Sequence, residues 1–550
     1  MASDKLLVKN GIVFDPLNKI EGEVKDILIE NRIIVDKFSS DKDVKEIDAN
    51  NKTVIPAALD IHAHFASQQV NWARLLGSKN EVFQKTWDGL RLESIARNYI
   101  SNGYTFVVEA NVFPSLAKQT IFDFKQMPVL DKAMLLNASN FWPLEIEYQK
   151  GKIEDMAIFL SDLLSKTKGF GLKAYNPFES VTWDFKVLRD ELDKQGRLYN
   201  FNALDVYKNL TKCAEFLSLP HSIHAHVEGY EQEQGMKNLF VILEEIKSLG
   251  LESPDNRSQI FHLAHASSYN INGDNDTLIN FFNNNKEFDL DLGFLGFNEI
   301  NPLITSDRRL INSIIKPENP KKLISSAIEI EGDSFSTIRT FDKKNEADCI
   351  LWANAIDLAL NIRNKYQIQS SLNFPNYANI TDMPHIATWL MSSEARNIYM
   401  KEMNSTFQNK TNLKDNENTL TFHDFIIITR ASPAKSLGLG KIKGNLGIEA
   451  DGDLNILNID LTDIDLNKDY NELIKALSNI DHVIKAGAVV KKKDNIYLNN
   501  QGKIFWSNGQ LKKENVSMIL SKKKEFYQKY GSIFYNSFNN LIDSKYLRKI

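Results

Sequence analysis

The sequence predicts an α/β protein built around a (β/α)8 barrel, and three observations support this prediction. Between residues 55 and 390, eight short apolar runs alternate with longer segments that are compatible with helices. Parallel strands joined by helical crossovers produce that alternation. Residues 5–55 are instead rich in short strand-like pieces, and further such pieces follow residue 450. We therefore expect a barrel accompanied by additional β-structure near both ends of the sequence.

The individual elements are predicted from local patterns of apolar and β-branched residues. The N-terminal strands are predicted from LLVKNGIVFD, DILIENRIIVD and KTVIP, with Asn-Gly at 10–11 as a turn. The eight barrel strands are predicted, in chain order, from VIPAALDIHAHF, YTFVVEAN, AMLLNAS, FGLKAYNP, SIHAHVE, IFHLAHAS, LDLGFLGF and IQSSLNFPN. The long, charged segment 298–366 is predicted to be an insertion between the last two of these runs. Beyond it we predict a helix at FHDFIIITRASPAKSLGL and strands at DGDLNILNID and HVIKAGAVVKKK.

Composition excludes several classes of protein. Of the 550 residues, 43% are hydrophobic and 25% are charged, which is ordinary for a globular chain with a large core. The formal net charge of −5 offers no basic excess to a phosphate backbone, so nucleic acid is not an expected partner. Only two cysteines occur, which excludes a disulfide scaffold, a four-cysteine zinc site and an iron–sulfur cluster held by this chain alone. Because we find neither a signal peptide nor an apolar run of about 18 residues, we expect a cytoplasmic protein without membrane association.

Seven of the ten histidines fall in three short clusters, each on a predicted barrel strand. The clusters are His62/His64, His221/His224/His226 and His262/His265. Residues i and i+2 of a strand point to the same side, so the first pair and the last two members of the second cluster should project together into the barrel mouth. One such pair in a strand usually binds nothing. Three clusters on three strands favour a metal site, because neutral imidazole is the commonest protein metal ligand. The first member of the second cluster and the first of the third are expected to be structural or to lie behind the ligands.

Lys173 lies on the run GFGLKAYNPFE, between the first and second histidine clusters. By itself it is compatible with a surface lysine that precedes an Asn-Pro turn. A lysine aimed into a barrel mouth is costly to bury, and reaction with CO2 is one chemical solution. The resulting carbamate is an anion with two oxygens, so it can bridge two cations. The position of Lys173 in the strand order favours this second interpretation.

These features resemble the amidohydrolase superfamily. The resemblance rests on VIPAALDIHAHF, on Lys173, His224 and His265 on later strands, and on the ending SPAKSLGLGKIKGNLGIEADGDLNIL. Within the superfamily the chain resembles the A subunits of formylmethanofuran dehydrogenases and of bacterial formyltransferase/hydrolase complexes. The supporting stretches are VKNGIVFDPLNKIEGE, HAHFASQQVNWAR, GLKAYNP, LPHSIHAHVEG, FHLAHASSYN, PHIATWLMSSEARNIYM and IIITRASPAKSLGLG, which together span residues 6–455 approximately.

The resemblance implies a dinuclear zinc site that interconverts an N-formyl amine of the methanofuran type with formate and the free amine. Carried over by position, the implied metal ligands are His62, His64, Lys173 as its carbamate, His224 and His265. His226 is implied to orient substrate or a ligand, and Asn71 and Arg74 are implied to bind the methanofuran-type cofactor. In the bacterial complexes the formyl group arrives from formyl-tetrahydromethanopterin through a transferase subunit. In archaea formate comes from CO2 that a partner subunit reduces.

The resemblance also implies a domain organisation and partners. It implies a small β-sandwich built from 1–55 and 431–500, an amidohydrolase barrel over 56–430 and a C-terminal tail over 501–550. Other subunits of a hetero-oligomeric complex are expected partners. The 298–366 segment and the C-terminal tail are candidate docking surfaces for them.

One position departs from the family pattern. On the eighth strand the relatives carry an aspartate in a Thr-Thr-Asp-His-Pro-Asn stretch, which binds a metal and takes the proton from the attacking water. Here Asn373 and Phe374 stand at the aspartate and histidine positions. An amide can offer a carbonyl oxygen to a metal but cannot act as a base near neutral pH. Asp382, nine residues further on, is not expected to reach the site.

Three functions are therefore compatible with the sequence. The first is hydrolysis of an N-formyl group by a site in which Asn373 and His226 are the candidate catalytic residues and the base is weakened or relocated. The second is a non-catalytic platform subunit, which the Asn373 change favours and the retained histidines oppose. The third is an archaeal-type dehydrogenase subunit or a cyclic amidase. LPHSIHAH and SQQVNWAR argue against the amidase.

Overall fold

The computed structural model describes most of the chain. The described residues are 5–67, 70–71, 90–141, 143–144, 152–177, 201–227, 229, 233–297, 302–305, 337–414, 416–511, 516–531 and 534–550. Within them the chain forms a barrel of parallel strands and a separate sheet to which both ends of the sequence contribute. The predicted fold class is therefore confirmed. None of the helices in these ranges is long and apolar enough to cross a membrane.

The separate sheet begins with the N-terminal strands. These are β1 (Lys5–Asp15), β2 (Ile20–Glu30), β3 (Ile33–Val35), β4 (Val44–Asp48) and β5 (Thr53–Pro56). β1 and β2 form a long antiparallel pair, with the left-handed Lys19 in the turn between them. The predicted Asn-Gly turn is absent, because residues 10 and 11 lie inside β1 and Asn10 tolerates the positive φ that a register shift in that pair requires.

The barrel contains all eight strands that the sequence predicts. The first seven are β6 (Ala58–Ala63), β7 (Tyr104–Val112), β8 (Asp131–Asn137), β9 (Gly171–Tyr175), β10 (Ile223–His226), β11 (Phe261–Leu263) and β12 (Phe288–Asp291). Next come the antiparallel pair β13 (Pro302–Thr305) and β14 (Thr337–Thr340), and then the eighth barrel strand, β15 (Ile368–Gln369). The barrel strands are buried along their full length, which is why they appear in the sequence as continuous apolar runs. A parallel bridge between Ala63 and Phe374 brings the eighth strand beside the first.

Helices connect the barrel strands and surround them. The α-helices before the eighth strand are α1 (Leu92–Ser101), α2 (Ala117–Gln126), α3 (Ile153–Thr167), α4 (Ala203–Phe216), α5 (Gly235–Ser248), α6 (Asp276–Asn284) and α7 (Glu346–Asn361). α7 corrects part of the predicted insertion at 298–366. Its residues from Asp348 to Ala359 are buried, so it is a packed barrel helix and not a free docking surface. Residues 298–301 and 306–336 of that segment lie outside the described residues.

The chain leaves the barrel through a helical run and returns to the separate sheet. The helices after the eighth strand are α8 (Met383–Met391), α9 (Ser393–Met400), α10 (Phe422–Ile426), α11 (Ser432–Ser436), α12 (Tyr470–Ser478) and α13 (Val516–Tyr530). A π-helical turn at Ile427–Ala431 joins α10 to α11, so the helix predicted at FHDFIIITRASPAKSLGL is present with a local widening. The strands of this part are β16 (Leu454–Leu457), β17 (His482–Lys485), β18 (Ala488–Lys492), β19 (Asn495–Ile496), β20 (Ile504–Trp506) and β21 (Leu547–Lys549).

The last two strands belong to the barrel sheet. β16 pairs with β5 and continues through β17, β18 and β19, so that strands from both ends of the sequence form one nine-stranded sheet. β20 and β21 instead run parallel to each other, and Ile504 of β20 pairs with Lys132 of β8. The segment after residue 500 thus contributes two strands at the third barrel strand.

Candidate metal centre

The predicted histidines meet at one end of the barrel. His62 and His64 stand at the end of β6, His224 and His226 lie in β10, and His265 follows β11 by two residues. All five side chains are buried. The ring centroid of His62 lies 5.2 Å from that of His64, 4.8 Å from that of His224 and 5.3 Å from that of His265. The carboxyl ends of parallel barrel strands form a common rim, and this is the rim where barrel enzymes place their active sites.

Two close nitrogen pairs join histidines from different strands. His224 Nε2 lies 3.1 Å from His62 Nδ1, and His265 Nε2 lies 2.7 Å from His226 Nδ1. The second pair is fixed by a hydrogen bond between His265 Nδ1 and the Ser268 hydroxyl at 2.7 Å. Ring nitrogens from three strands therefore face a common space.

A glycine permits the position of His265. Gly293, two residues after β12, has φ +62°, and a Cβ on it would lie 2.5 Å from the Cβ of His265. Only glycine fits such a close approach and adopts such a φ at no cost. The Asp-Leu-Gly sequence at 291–293 thus lets the seventh strand lie directly against the histidine of the sixth.

Lys173 lies beside these histidines and has an exposed fraction of 1%. It is the parallel-sheet neighbour of His224 in the register of β9 and β10. Among the described residues, its Nζ has no hydrogen-bond partner. Burial lowers the pKa of Lys173 to about 7, although the carboxylates of Asp291 and Glu109 oppose this shift. A buried amine without a partner is costly as an ammonium ion, so the site favours the neutral form or a covalent derivative.

The imidazoles of the centre are held in their neutral form. Burial lowers the pKa of His62, of His224 and of His226 well below the ordinary value. It lowers that of His265 to about 3. Neutral imidazole is the form that binds a metal, so no proton needs to be displaced near neutral pH.

One carboxylate lies among these rings, and the sequence analysis did not identify it. Asp291 ends β12 and is completely buried. Its Oδ2 lies 3.0 Å from His62 Nδ1 and 3.6 Å from His224 Nε2. Burial alone would raise the pKa of Asp291, but the imidazoles of His62 and His262 beside it hold that pKa well below its ordinary value. Ligand atoms of His62, His224 and Asp291 all lie within 4.8 Å of one another, a spacing that suits one metal ion.

A second layer of polar groups orients the histidines. Glu109 of β7 places Oε1 3.2 Å from His64 Nδ1, and its Oε2 accepts the backbone N–H groups of Phe65 and Ala66 at 2.7 Å each. Asp60 accepts the backbone N–H of His62 at 3.0 Å, and its other oxygen accepts the Tyr99 hydroxyl at 2.6 Å. Such partners fix the tautomer and the angle of metal-binding imidazoles.

The two histidines that we expected to lie behind the ligands do so. His221 Nε2 is 3.1 Å from His224 Nδ1, and its Nδ1 donates to the Ser436 carbonyl at 2.8 Å. His262 lies between two carboxylates, with Nδ1 2.9 Å from Asp289 Oδ1 and Nε2 3.1 Å from Asp291 Oδ2. Burial alone would lower the pKa of His262, but these two carboxylates raise it to about 9.

The remaining predicted site residues differ in their placement. Asn373 is buried just after β15, has φ +44° and accepts a hydrogen bond from Asn376 Nδ2 at 3.1 Å. Its neighbour Phe374 accepts the backbone N–H of His64 at 2.6 Å. Asn71 is described and exposed, whereas Arg74 lies outside the described residues. Asp382 accepts the backbone N–H of Asn379 at 3.0 Å as a helix cap, in agreement with the expectation that it does not reach the site.

The residues missed in the sequence carried a usable signal. Asp291 and Glu109 each stand inside an otherwise apolar predicted strand, in FDLDLGF and in YTFVVEAN. Burying a carboxylate is expensive unless it is paired, so an acid in such a run indicates a partner in the barrel mouth.

A second group of buried charges lies at the opposite end of the barrel, between the barrel and the separate sheet. We call it the floor cluster; its members are Asp131, Lys443, Asp451, Asp453, Lys485 and Arg548. Lys443 Nζ lies 2.6 Å from Asp131, 2.7 Å from Asp451 and 2.6 Å from Asp453. Lys485 pairs with Asp131 at 2.7 Å, and Arg548 pairs with Asp451 at 2.7 Å. Three carboxylates here meet three cations.

Comparison with known proteins agrees with this architecture. An amidohydrolase family model matches residues 375–491. Protein FwdA of Methanocaldococcus jannaschii is 28% identical over 551 residues, covering 96% of this chain and 95% of that protein. The corresponding subunit of the formyltransferase/hydrolase complex Fhc of Methylorubrum extorquens is 24% identical over 477 residues, covering 82% of this chain and 84% of that protein.

The solved structures give the same result for the fold. The crystal structure of the formyltransferase/hydrolase complex FhcABCD from Methylorubrum extorquens, in complex with methylofuran, contains a chain that superposes with a TM-score of 0.85. The superposition covers 99% of both chains at 20% sequence identity. The chain thus has the amidohydrolase fold and resembles the A subunits of these enzymes over nearly its whole length.

Proposed function

We propose that this chain, with its amidohydrolase fold and its likeness to FwdA and to the corresponding Fhc protein, is the formyl hydrolase subunit of a formyltransferase/hydrolase-type complex. Its substrate would be an N-formyl group on a methanofuran-type amine, and its products formate and the free amine. This places it in one-carbon metabolism linked to tetrahydromethanopterin. The observation that carries the proposal is the meeting of buried imidazoles and Lys173 at one barrel rim.

The residues present fit a pair of zinc ions. His62, His64, His224 and His265 offer buried nitrogens, and burial keeps three of these rings, His62, His224 and His265, neutral. We propose them as ligands together with Lys173. When bound, zinc lowers the pKa of water towards neutrality and polarises a carbonyl oxygen.

Lys173 fits the bridging role as a carbamate. Its pKa of about 7 leaves much of the amine uncharged, so the nitrogen can attack the carbon of CO2, form an N–C bond and release one proton. The product is an anion with two oxygens in place of a buried cation. The absence of a hydrogen-bond partner for Nζ among the described residues supports this assignment.

The other polar residues of the rim are proposed to handle the substrate. His226 lies 2.7 Å from His265 and can orient either that ligand or the formyl oxygen. Asn373 offers a neutral amide to the substrate and does not act as a base. Asn71 and Arg74 are proposed to bind the methanofuran-type cofactor.

Formate release by the purified complex tests the proposal. We expect the complex to contain zinc and to release formate from an N-formyl methanofuran analogue. His62→Ala should lower the rate by more than about 100-fold, because losing a ligand should cost more than losing a residue that only orients one. His385→Ala is the matched control, since His385 is exposed on α8. Equal rates for wild type and His62→Ala would remove the metal centre from the chemistry.

A second function is favoured by one observation. Asn373 stands where the relatives have their aspartate, which would suit a platform subunit that no longer catalyses. That function predicts less than one zinc ion per chain and formate release that does not respond to His62→Ala. The likeness to FwdA supports a third possibility, in which the same site condenses formate with the amine in an archaeal-type dehydrogenase. Identifying the subunits that purify with this chain distinguishes a transferase complex from an oxidoreductase.

A further inference from the structure

We propose that Asp291, from the seventh barrel strand, is the carboxylate ligand of the metal centre in this protein, in place of the residue of the eighth strand. The inference rests on the proposed function, because it assigns one more residue to the same centre. It differs from the pattern carried over from the relatives, in which the eighth strand supplies the acid.

The eighth strand supplies no negative charge at the position where the relatives have one. Asn373 carries a neutral amide, and its oxygen already accepts a hydrogen bond from Asn376 at 3.1 Å. A pair of divalent cations surrounded by neutral imidazoles would then have the Lys173 carbamate as its one anion from these positions. Bringing such an excess of positive charge into a buried site is expensive, so a further anion is needed nearby.

Asp291 lies where that anion is needed. Its Oδ2 is 3.0 Å from His62 Nδ1 and 3.6 Å from His224 Nε2, and both rings are proposed ligands. The ligand atoms of these three residues lie within 4.8 Å of one another. Oxygen and nitrogen ligands bind zinc at about 2.0–2.2 Å, so one ion can reach all three after small movements.

The other side of the carboxylate is anchored. Asp291 Oδ1 accepts the backbone N–H of His265 at 2.9 Å and also the hydroxyl of Ser371. These contacts fix the plane of the group and leave Oδ2 directed towards the histidines. Ser371 belongs to the stretch that carries Asn373, so the eighth strand supports the acid of the seventh instead of supplying its own.

His262 acts as a positioning residue for Asp291. It joins Asp291 Oδ2 at 3.1 Å to Asp289 Oδ1 at 2.9 Å. Asp289 is itself held by the side-chain amide of Gln369 at 3.1 Å. A partner on the far side of a ligating group is the usual way in which proteins orient metal ligands.

Lys173 is an independent sign that the space takes a ligand. It is 1% exposed, and among the described residues its Nζ has no hydrogen-bond partner. It acts electrostatically on both His62 and His224, so it shares their cavity. A buried amine and a buried carboxylate that do not pair with each other leave room for a species between them.

The test measures metal binding by the purified complex, in wild type and in Asp291→Asn. We expect Asp291→Asn to weaken zinc affinity by at least about 100-fold and to change the absorption spectrum of the cobalt-substituted protein. Asp289→Asn is the matched control, because it lies on the same strand and contacts the same histidine. It should change zinc affinity by less than about tenfold. Equal effects of the two variants, or wild-type affinity in Asp291→Asn, would overturn the assignment.

A second measurement keeps the inference testable if Asp291→Asn does not fold. In a crystal structure of the zinc-loaded wild type, Asp291 Oδ2 should lie within about 2.2 Å of an ion, and a distance beyond about 3 Å overturns the inference. The two proposals fail differently. A wild type that binds no zinc contradicts the proposed function, whereas zinc lost in His62→Ala but kept in Asp291→Asn contradicts the role of Asp291 alone.

Discussion

The two ends of the barrel both bury ionisable groups, but they balance them differently. In the floor cluster, every carboxylate has a lysine or arginine nitrogen at salt-bridge distance, with Lys443 in contact with three of them. At the rim, neutral imidazoles surround Asp291, and Lys173 has no hydrogen-bond partner among the described residues. Charged groups of both ends lie close enough to hold a metal ion by distance alone.

The difference teaches that proximity of ligand atoms does not by itself identify a metal site. The acids of the floor cluster already have their cations, so an added metal ion would have to displace buried lysines. The rim has lone pairs on neutral nitrogens and a carboxylate whose neighbours are those nitrogens. A buried arrangement of that kind is satisfied only when a cation enters. The predictions below separate the two ends.

The largest effect is expected from the floor. Lys443→Ala leaves three buried carboxylates without their shared cation, and breaking a buried ion pair in this way typically costs about 3–5 kcal/mol. Chemical denaturation followed by circular dichroism should show that loss in the free energy of unfolding. Lys441→Ala, at an exposed position two residues away, is the control. Zinc content per folded chain should stay at the wild-type value, and its loss would show that the two ends are coupled.

A slightly smaller effect is expected from His262 at the rim of the metal-free protein. Its pKa is about 9 when folded and near 6.5 when unfolded, so the folded state retains the proton longer. The resulting stability is fully present below pH 6.5 and is lost as the pH rises through 9. Since each pKa unit corresponds to about 1.4 kcal/mol, up to a few kcal/mol are involved.

Comparing denaturation of wild type and His262→Gln between pH 6 and pH 10 measures this contribution. The difference in unfolding free energy between the two proteins should shrink across that interval. A difference that stays constant with pH would contradict a protonated His262. The zinc-loaded protein offers a useful contrast, because ligation of Asp291 would weaken the carboxylate that holds the proton.

Glu109→Gln should have an intermediate effect confined to the rim. The variant loses the charged acceptor beside His64 Nδ1, while one amide oxygen can still accept from the backbone. Loss of such an orienting partner typically lowers metal affinity by about 10–100-fold. Zinc titration with a competing chelator measures it, with the exposed Glu93→Gln on α1 as control. An unchanged affinity would mean that His64 does not bind metal.

The smallest effect is expected at the edge of the floor cluster. Arg548 pairs with Asp451 at 2.7 Å, but its side chain is 33% exposed, so water screens the pair. Arg548→Ala should therefore lower the free energy of unfolding by about 1 kcal/mol or less. Arg548→Lys, which keeps the charge, should lose less than that. A loss as large as that of Lys443→Ala would show that the edge of the cluster is as dry as its centre.

The barrel could be predicted from sequence because its strands are buried on both sides. Each then appears as a short continuous apolar run, and the histidines at the ends of those runs mark the rim. The Asn-Gly pair at 10–11 misled us, since a turn signal lay inside a long bulged strand. The charged segment 298–366 was also misjudged in part, because α7 is almost entirely buried although it begins with Glu346.

The carboxylates were harder to predict because their roles depend on contacts between distant strands. Asp291 is 229 positions from His62, and no local pattern links them. We looked for an acid on the eighth strand because the relatives carry one there, and so gave less weight to an acid in the apolar run before it. The floor cluster has no sequence signature at all, since its members come from single positions in strands and loops.

The floor cluster also has a consequence for how the protein is made. Asp131 and Lys443 are 312 positions apart, and they meet only when the chain beyond the eighth strand returns below the barrel. A ribosome therefore extrudes the acid long before its cation exists, and the growing chain must keep that end of the barrel hydrated. Contacts between such distant positions slow folding and lengthen the exposure of apolar strands. Production of this protein should thus depend strongly on chaperones and on growth temperature.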